Sequence, residues 1–182
     1  CQAIHMYPFT ESQLTDTLIK YKGMDEVAAK RIAQRAEGNI NSAFKLIEQE
    51  ENTLEFEAFF IDWVRSAFQA KTNKKSINKL MAWSETVAKL GREMEKQFLS
   101  YSLDVFRQAL MLNYGAKGLV HLQISDKSFS LEKFSNFIDA QNIEEISSEI
   151  ESAIYHIERN ANGKIVLTDL SIKLTRLLHQ KP

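Results

Sequence analysis

The side chains of this sequence that could do chemistry are few and scattered. Its four histidines, His5, His121, His156 and His179, stand far apart. None lies at metal-ligand spacing from another His or from the single cysteine, Cys1, so no zinc pattern is present. An isolated helical histidine is ordinarily solvated or satisfied within a core. Cys1 has no evident base partner, which a thiol nucleophile requires. Glu144 and Glu145 adjoin a helix start, where paired carboxylates complement the helix dipole and need no further role. There is no Gly-rich phosphate loop and no Gly-Lys-Ser/Thr motif. Catalytic residues, metal ligands and cofactors are therefore expected to be none, and a self-contained enzyme is disfavoured.

Two other clusters could contact a ligand. Lys71, Lys74, Lys75 and Lys79 could touch phosphates, but no aromatics interleave with them and acids balance them nearby, so a solvated helix-turn face is the simpler reading. The aromatic run Phe56, Phe59, Phe60, Trp63 reads as core for the same kind of reason. Composition agrees: of 182 residues 44% are hydrophobic, and the net charge is −1, which gives a sizeable core and no global pull toward nucleic acid or anionic membrane. A single cysteine allows no internal disulfide and suits a reducing, cytoplasmic compartment. No apolar run approaches the roughly 18 residues of a membrane span. A chain beginning at Cys1 suggests a piece of a longer protein, in preference to an acylated lipoprotein with its polar tether.

The elements that must carry these side chains are helical. Thr10 with Gln13 makes a capping-box signature. Leu14, Leu18 and Tyr21 mark one face of the first helix, which Gly23 stops. Asp25 can cap a second helix bearing Ala28, Ile32 and Ala36, ended by Gly38. Asn39 can cap a third with Ala43, Leu46 and Ile47 inward. The polar stretch "EQEEN", residues 48–52, reads as a break and the best hinge or boundary. Beyond it Phe56, Phe59, Phe60, Trp63, Val64 and Ala67 form a wide apolar stripe. Ile77, Leu80, Met81 and Val87 belong to the next helix, and Met94, Phe98, Tyr101, Val105 and Leu112 to another. Residues 116–129 fit a short strand, a buried turn or a helical piece. Ser130 opens a short helix, Asn142 can cap a long one, "NANG" at 160–163 breaks it, and Leu167, Leu170, Leu174 and Leu177 define the last. About eight helices without a confident strand predict an all-α chain, and no fixed-period repeat is present.

The first 50 residues and the last 25 resemble a known family. "CQAIHMYPFTESQLTDTLIKYKGMDEVAAKRIAQRAEGNINSAFKL" resembles the lid of AAA+ clamp-loader subunits. That family has a Ser-Arg-Cys before an extended stretch, then a Pro-(Leu/Phe)-(Ser/Thr) helix start, a Gly turn and an Ala-rich helix ending Ala-x-Gly. The counterparts here are Cys1-Gln2, Pro8-Phe9-Thr10, Gly23 and Ala36-Glu37-Gly38. "RNANGKIVLTDLSIKL", Arg159 to Leu174, resembles the Asn-x-Asn stretch before the last collar helix. Residues 53–158 match only in being helical.

The resemblance implies a lid module at 1–51 and a helical-bundle collar at 52–182, with the ATPase core lying upstream. Active members place a sensor arginine near the start of the third lid helix. Asn41 stands there in this chain, and a short neutral amide cannot reach or stabilise a phosphate as guanidinium does. That degenerate position favours the non-hydrolysing, delta-prime-like branch over the gamma/tau-like motor branch of DNA polymerase III clamp loaders. The remaining alternative is an unrelated helical adaptor or lipoprotein. Partners implied are other clamp-loader subunits through the collar, and indirectly the sliding clamp and primer-template DNA, with no membrane. The implied oligomer interface comprises Arg159, Asn160, Asn162, Leu174 and Leu178.

Overall fold

The computed structural model describes residues 8–71, 73–120, 122 and 124–179, with the backbone alone at 49, 50 and 74. Cys1, Gln2, His5 and His121, and the side chain of Lys74, lie outside the described residues. Among those described there are eight α-helices, one 3-10 turn and no strand, so the chain is all-α. It divides into two compact units, Cys1–Thr53 and Leu54–Pro182.

The first unit holds α1 (Glu11–Lys22), α2 (Glu26–Arg35) and the start of α3 (Ile40–Ala70). Each start is fixed by its own cap. Thr10 and Gln13 exchange side-chain to backbone hydrogen bonds of 3.3 and 3.0 Å, Asp25 Oδ1 accepts from Val27 and Ala28 at 3.0 Å, and Asn39 Oδ1 accepts from Asn41 and Ser42. Gly23, at φ 64°, closes α1. Gly38 is needed on two counts. Its φ is 79°, and a Cβ there would stand 2.5 Å from the Phe9 carbonyl oxygen. That close approach lets the Phe9 N–H donate to Gly38 O at 3.0 Å. The core takes Leu14 and Leu18 from α1, Ala29, Ile32, Ala33 and Ala36 from α2, and Ala43 and Ile47 from α3. Tyr21, expected on the α1 face, is 71% exposed instead; the last turn runs past this small core, and a phenol tolerates water there.

The expected break at 48–52 is helical, because α3 continues without interruption from Ile40 to Ala70. Glu and Gln are good helix formers, and the stretch contains neither Gly nor Pro to stop the ladder. Polarity alone does not end a helix.

The second unit comprises the later part of α3, α4 (Lys74–Ala88), α5 (Arg92–Asn113), a 3-10 turn at Lys117–Leu119, α6 (Leu131–Ser135), α7 (Ile143–Glu158) and α8 (Gly163–Leu177). Helix α5 packs on α7, α4 on α8, and α7 on α8. Trp63 is fully buried at the centre. Its indole stacks on Trp83 at 5.1 Å and 4°, lies against Phe60, Phe98 and Phe106, and donates to Ser171 Oγ at 2.8 Å. Trp83 donates to the Phe59 carbonyl at 3.0 Å, so both indole N–H groups are satisfied in apolar surroundings.

The ambiguous segment 116–129 is a 3-10 turn followed by irregular backbone among the described residues. Side chains of distant helices hold it. Glu57, 5% exposed, accepts from the Ser125 and Asp126 amides at 2.7–2.9 Å. Gln108 Oε1 accepts from Leu122 N at 2.7 Å, and Arg65 Nη2 donates to Ser128 O and Oγ at 2.9 Å. Asn142 precedes α7 but does not cap it. Buried, it donates to Phe137 O at 2.7 Å and toward Leu177 O at 3.4 Å, and accepts from Asp139 N. Asp139 Oδ1 takes the Gln141 and Asn142 amides in its place.

Candidate functional site

The turn joining α7 to α8 carries three of the residues assigned to an interface. Arg159 follows α7, exposed, with its guanidinium carbon 3.5 Å from the Tyr155 ring centroid, a cation–π contact. Asn160 adopts φ 66°, the left-handed conformation that asparagine tolerates better than other non-glycine residues. Ala161 then donates to His156 O at 3.0 Å, closing the helix end. Asn162 Oδ1 accepts from Ile165 N at 3.2 Å and caps α8. The two asparagines are thus explained by turn and cap, and both remain exposed.

Leu174 and Leu178 must be reassigned. They are 2% and 4% exposed, within the core of their own unit, so a docking partner cannot reach them while α8 stays folded. The inward stripe Leu167, Leu170, Leu174, Leu177 leaves the opposite side of α8 to Ile165 and Ile172, 69% and 58% exposed. Across from it α4 exposes Ile77 and Met81, at 43% and 47%. Ile77, Met81 and Ile172, with Ala70, Leu80, Thr168 and Thr175, line a shallow apolar groove of about 390 Å³. The sequence signal was present: Ile165, Thr168, Ile172 and Thr175 repeat at i, i+3, i+7 and i+10, a second stripe on the same helix.

Ion pairs flank this face. Lys164 reaches Glu85 on α4 at 2.8 Å, and Glu85 also meets Lys89 at 3.2 Å; hydrogen bonds from these two ammonium groups hold its carboxyl below the usual value. Lys173 lies 2.8 Å from both Asp169 and Glu149, whose hydrogen bonds raise its pKa. Arg176 pairs with Glu145 at 2.8 Å. These contacts link α8 to α4 and α7 and leave the apolar strip uncovered.

Asn41 belongs to the first unit. It is exposed in the first turn of α3, where its backbone N–H donates to Asn39 Oδ1 at 2.9 Å. Lys71, Lys75 and Lys79 are likewise exposed. His156 is exposed on α7, while His179 Nδ1 lies 2.7 Å from Thr175 O, which places the proton of a neutral ring on Nδ1. Among the described residues no three His, Cys, Asp or Glu side chains converge on a possible metal position, and no helix is long and apolar enough to cross a membrane.

Sequence reasoning missed two buried acids, Glu57 and Glu95. Glu95, in the first turn of α5, is 5% exposed, and its Oε2 has no hydrogen-bond partner among the described residues. Burial pushes its pKa up, and the nearby Arg92 charge pulls it partly back. Its carboxylate lies against Gly163, where any Cβ would collide with it. No family model, curated protein or solved structure matches this chain.

Proposed function

We propose that the chain is the C-terminal part of a delta-prime-like clamp-loader subunit of DNA polymerase III. In this reading residues 1–51 form a lid and 52–182 a collar, and the fragment does no chemistry of its own. It joins sister collars in the ring that opens the sliding clamp and sets it on primer-template DNA. The observation that carries the reading is the uncovered apolar groove of α4 and α8. The collar-like stretch Arg159–Leu174 contributes Thr168 and Ile172 to its lining, and the exposed large apolar side chains of that stretch are Ile165 and Ile172. A ring subunit must keep such a surface free until its neighbour arrives, and a contiguous apolar patch on a soluble face marks an interaction site. Head-to-tail ring contacts also favour unlike neighbours over self-pairing. Asn41, exposed and neutral, supports the branch that does not sense ATP.

Mixing the chain with purified sister collars and measuring mass by light scattering tests this. A hetero-complex is expected, lost in Ile172→Asp and Met81→Asp and retained in Lys79→Ala. Titration calorimetry with ATP is expected to show no heat of binding. A tight homodimer indifferent to the sister collars, or micromolar ATP binding, would overturn the reading.

A further inference from the structure

A different surface of the second unit combines concavity, apolar lining and two cations. Its depression, about 300 Å³, lies between the end of α3 and the segment around α6, and Val64 and Phe134 are among the residues lining it. Phe68 and Phe137, 38% and 42% exposed, stand at its rim with ring centroids 4.6 Å apart. Two cations complete the lining, Arg65 and Lys133. Arg65 donates through Nη2 to Ser128, which leaves the Nε and Nη1 hydrogens for a further acceptor. Among the described residues neither Arg65 nor Lys133 forms an ion pair, and no carboxylate lines the depression. Of the nearby acids, Glu132 pairs with Lys117 at 3.0 Å, and Asp126, which accepts from the Ser128 amide at 2.7 Å, feels the Arg65 charge, so Lys133 is the cation of the lining with no acid facing it among the described contacts.

We infer that this depression docks an acidic peptide segment of a partner protein, one large apolar side chain entering the hollow while flanking carboxylates meet Arg65 and Lys133. An exposed ion pair alone contributes little, so the anchor supplies affinity and the charges set register and partner choice. Guanidinium matches a carboxylate through parallel N–H donors, which suits Arg65 to this task. Single-stranded nucleic acid fits less well. Base stacking needs free aromatic faces and a track of cations, whereas the His179 imidazole lies over Phe68 at 4.7 Å and 30°, and only two cations are present. The inference concerns a face other than the α4–α8 groove and stands independently of the clamp-loader reading.

Fluorescence anisotropy of the full chain tests it. The probe is a fluorescein-labelled nonapeptide with one Phe flanked by Glu residues in a Gly–Ser background. Saturable binding is expected, weakened at least about tenfold when the peptide's Phe becomes Ala, when its Glu residues become Lys, or in the protein variant Lys133→Glu. Lys79→Glu, outside the depression, should bind as the parent does. Arg65→Glu should also weaken binding, and because Arg65 holds Ser128, Lys133→Glu with an unchanged thermal midpoint is the decisive variant. Absence of saturable binding, equal binding by Lys133→Glu, or tighter binding of a labelled oligothymidine than of the acidic peptide would each overturn the inference.

Discussion

The Glu95 carboxyl, in the first turn of α5, lies against Gly163, the first residue of α8. A carboxyl group 5% exposed, with one oxygen unpartnered, is disfavoured in its charged form by desolvation. Its folded pKa is therefore above the ordinary 4.5. Between the unfolded value and that raised value the folded chain holds more proton than the unfolded one, so stability falls as pH rises through this window. The isosteric Glu95→Gln is neutral throughout. It should match or exceed the parent's thermal midpoint at about pH 7, with the advantage gone near pH 4, where Glu95 is protonated in both states; a parent more stable than the variant at neutral pH would contradict this. A Cβ at Gly163 would displace the Glu95 carboxylate, the far end of a flexible side chain, so Gly163→Ala should change stability by less than about 1 kcal/mol, the displacement set against alanine's better helix propensity, read from urea midpoints; a larger loss would show that the carboxylate is rigidly held. At this scale the sequence disclosed the local caps, Thr10, Asp25, Asn39 and Ser130, since a cap acts within three residues. It could not disclose Glu95, whose neighbour Gly163 lies far along the chain.

Among the elements, the legible ones are those whose signal is periodic. The aromatic stripe on α3 and the leucine stripe on α8 are inward where expected. Helix α8 also shows the limit of that method, since a second stripe through Ile165 and Ile172 went unread beside the stronger first. Asn142 was legible as a helix boundary but not as a buried link to Phe137 and Leu177. The segment 116–129 had no period to read, because its backbone is held by Glu57, Arg65 and Gln108 across up to 69 residues of sequence. Such ties are testable. Glu57→Ala would leave the Ser125 and Asp126 amides without their acceptor and should cost about 1.5–3 kcal/mol, the range for hydrogen bonds to a charged group. Hydrogen exchange at those two amides should accelerate ahead of exchange in α5. Unchanged protection there would mean that the segment is held by something other than Glu57.

At the scale of the whole molecule, the two units rest on cores of different quality. The first buries eight apolar side chains, four of them alanines, and domains this small are marginal. The second buries both tryptophans, five phenylalanines and a long aliphatic series. Urea titration followed by far-ultraviolet circular dichroism should show two steps, the first being loss of the α1–α2 helices. One coincident transition by all probes would instead make the chain a single cooperative unit. The indole pair gives this experiment its optical handle. The only two tryptophans of the sequence, Trp63 and Trp83, both belong to the second unit and lie nearly parallel, 5.1 Å apart. Their transition dipoles should therefore couple as an exciton pair, giving a paired positive and negative band in the circular dichroism near the strong indole absorption. Tryptophan emission and the couplet would both follow the second unit alone, so a loss of helix ellipticity that leaves them unchanged would belong to the first.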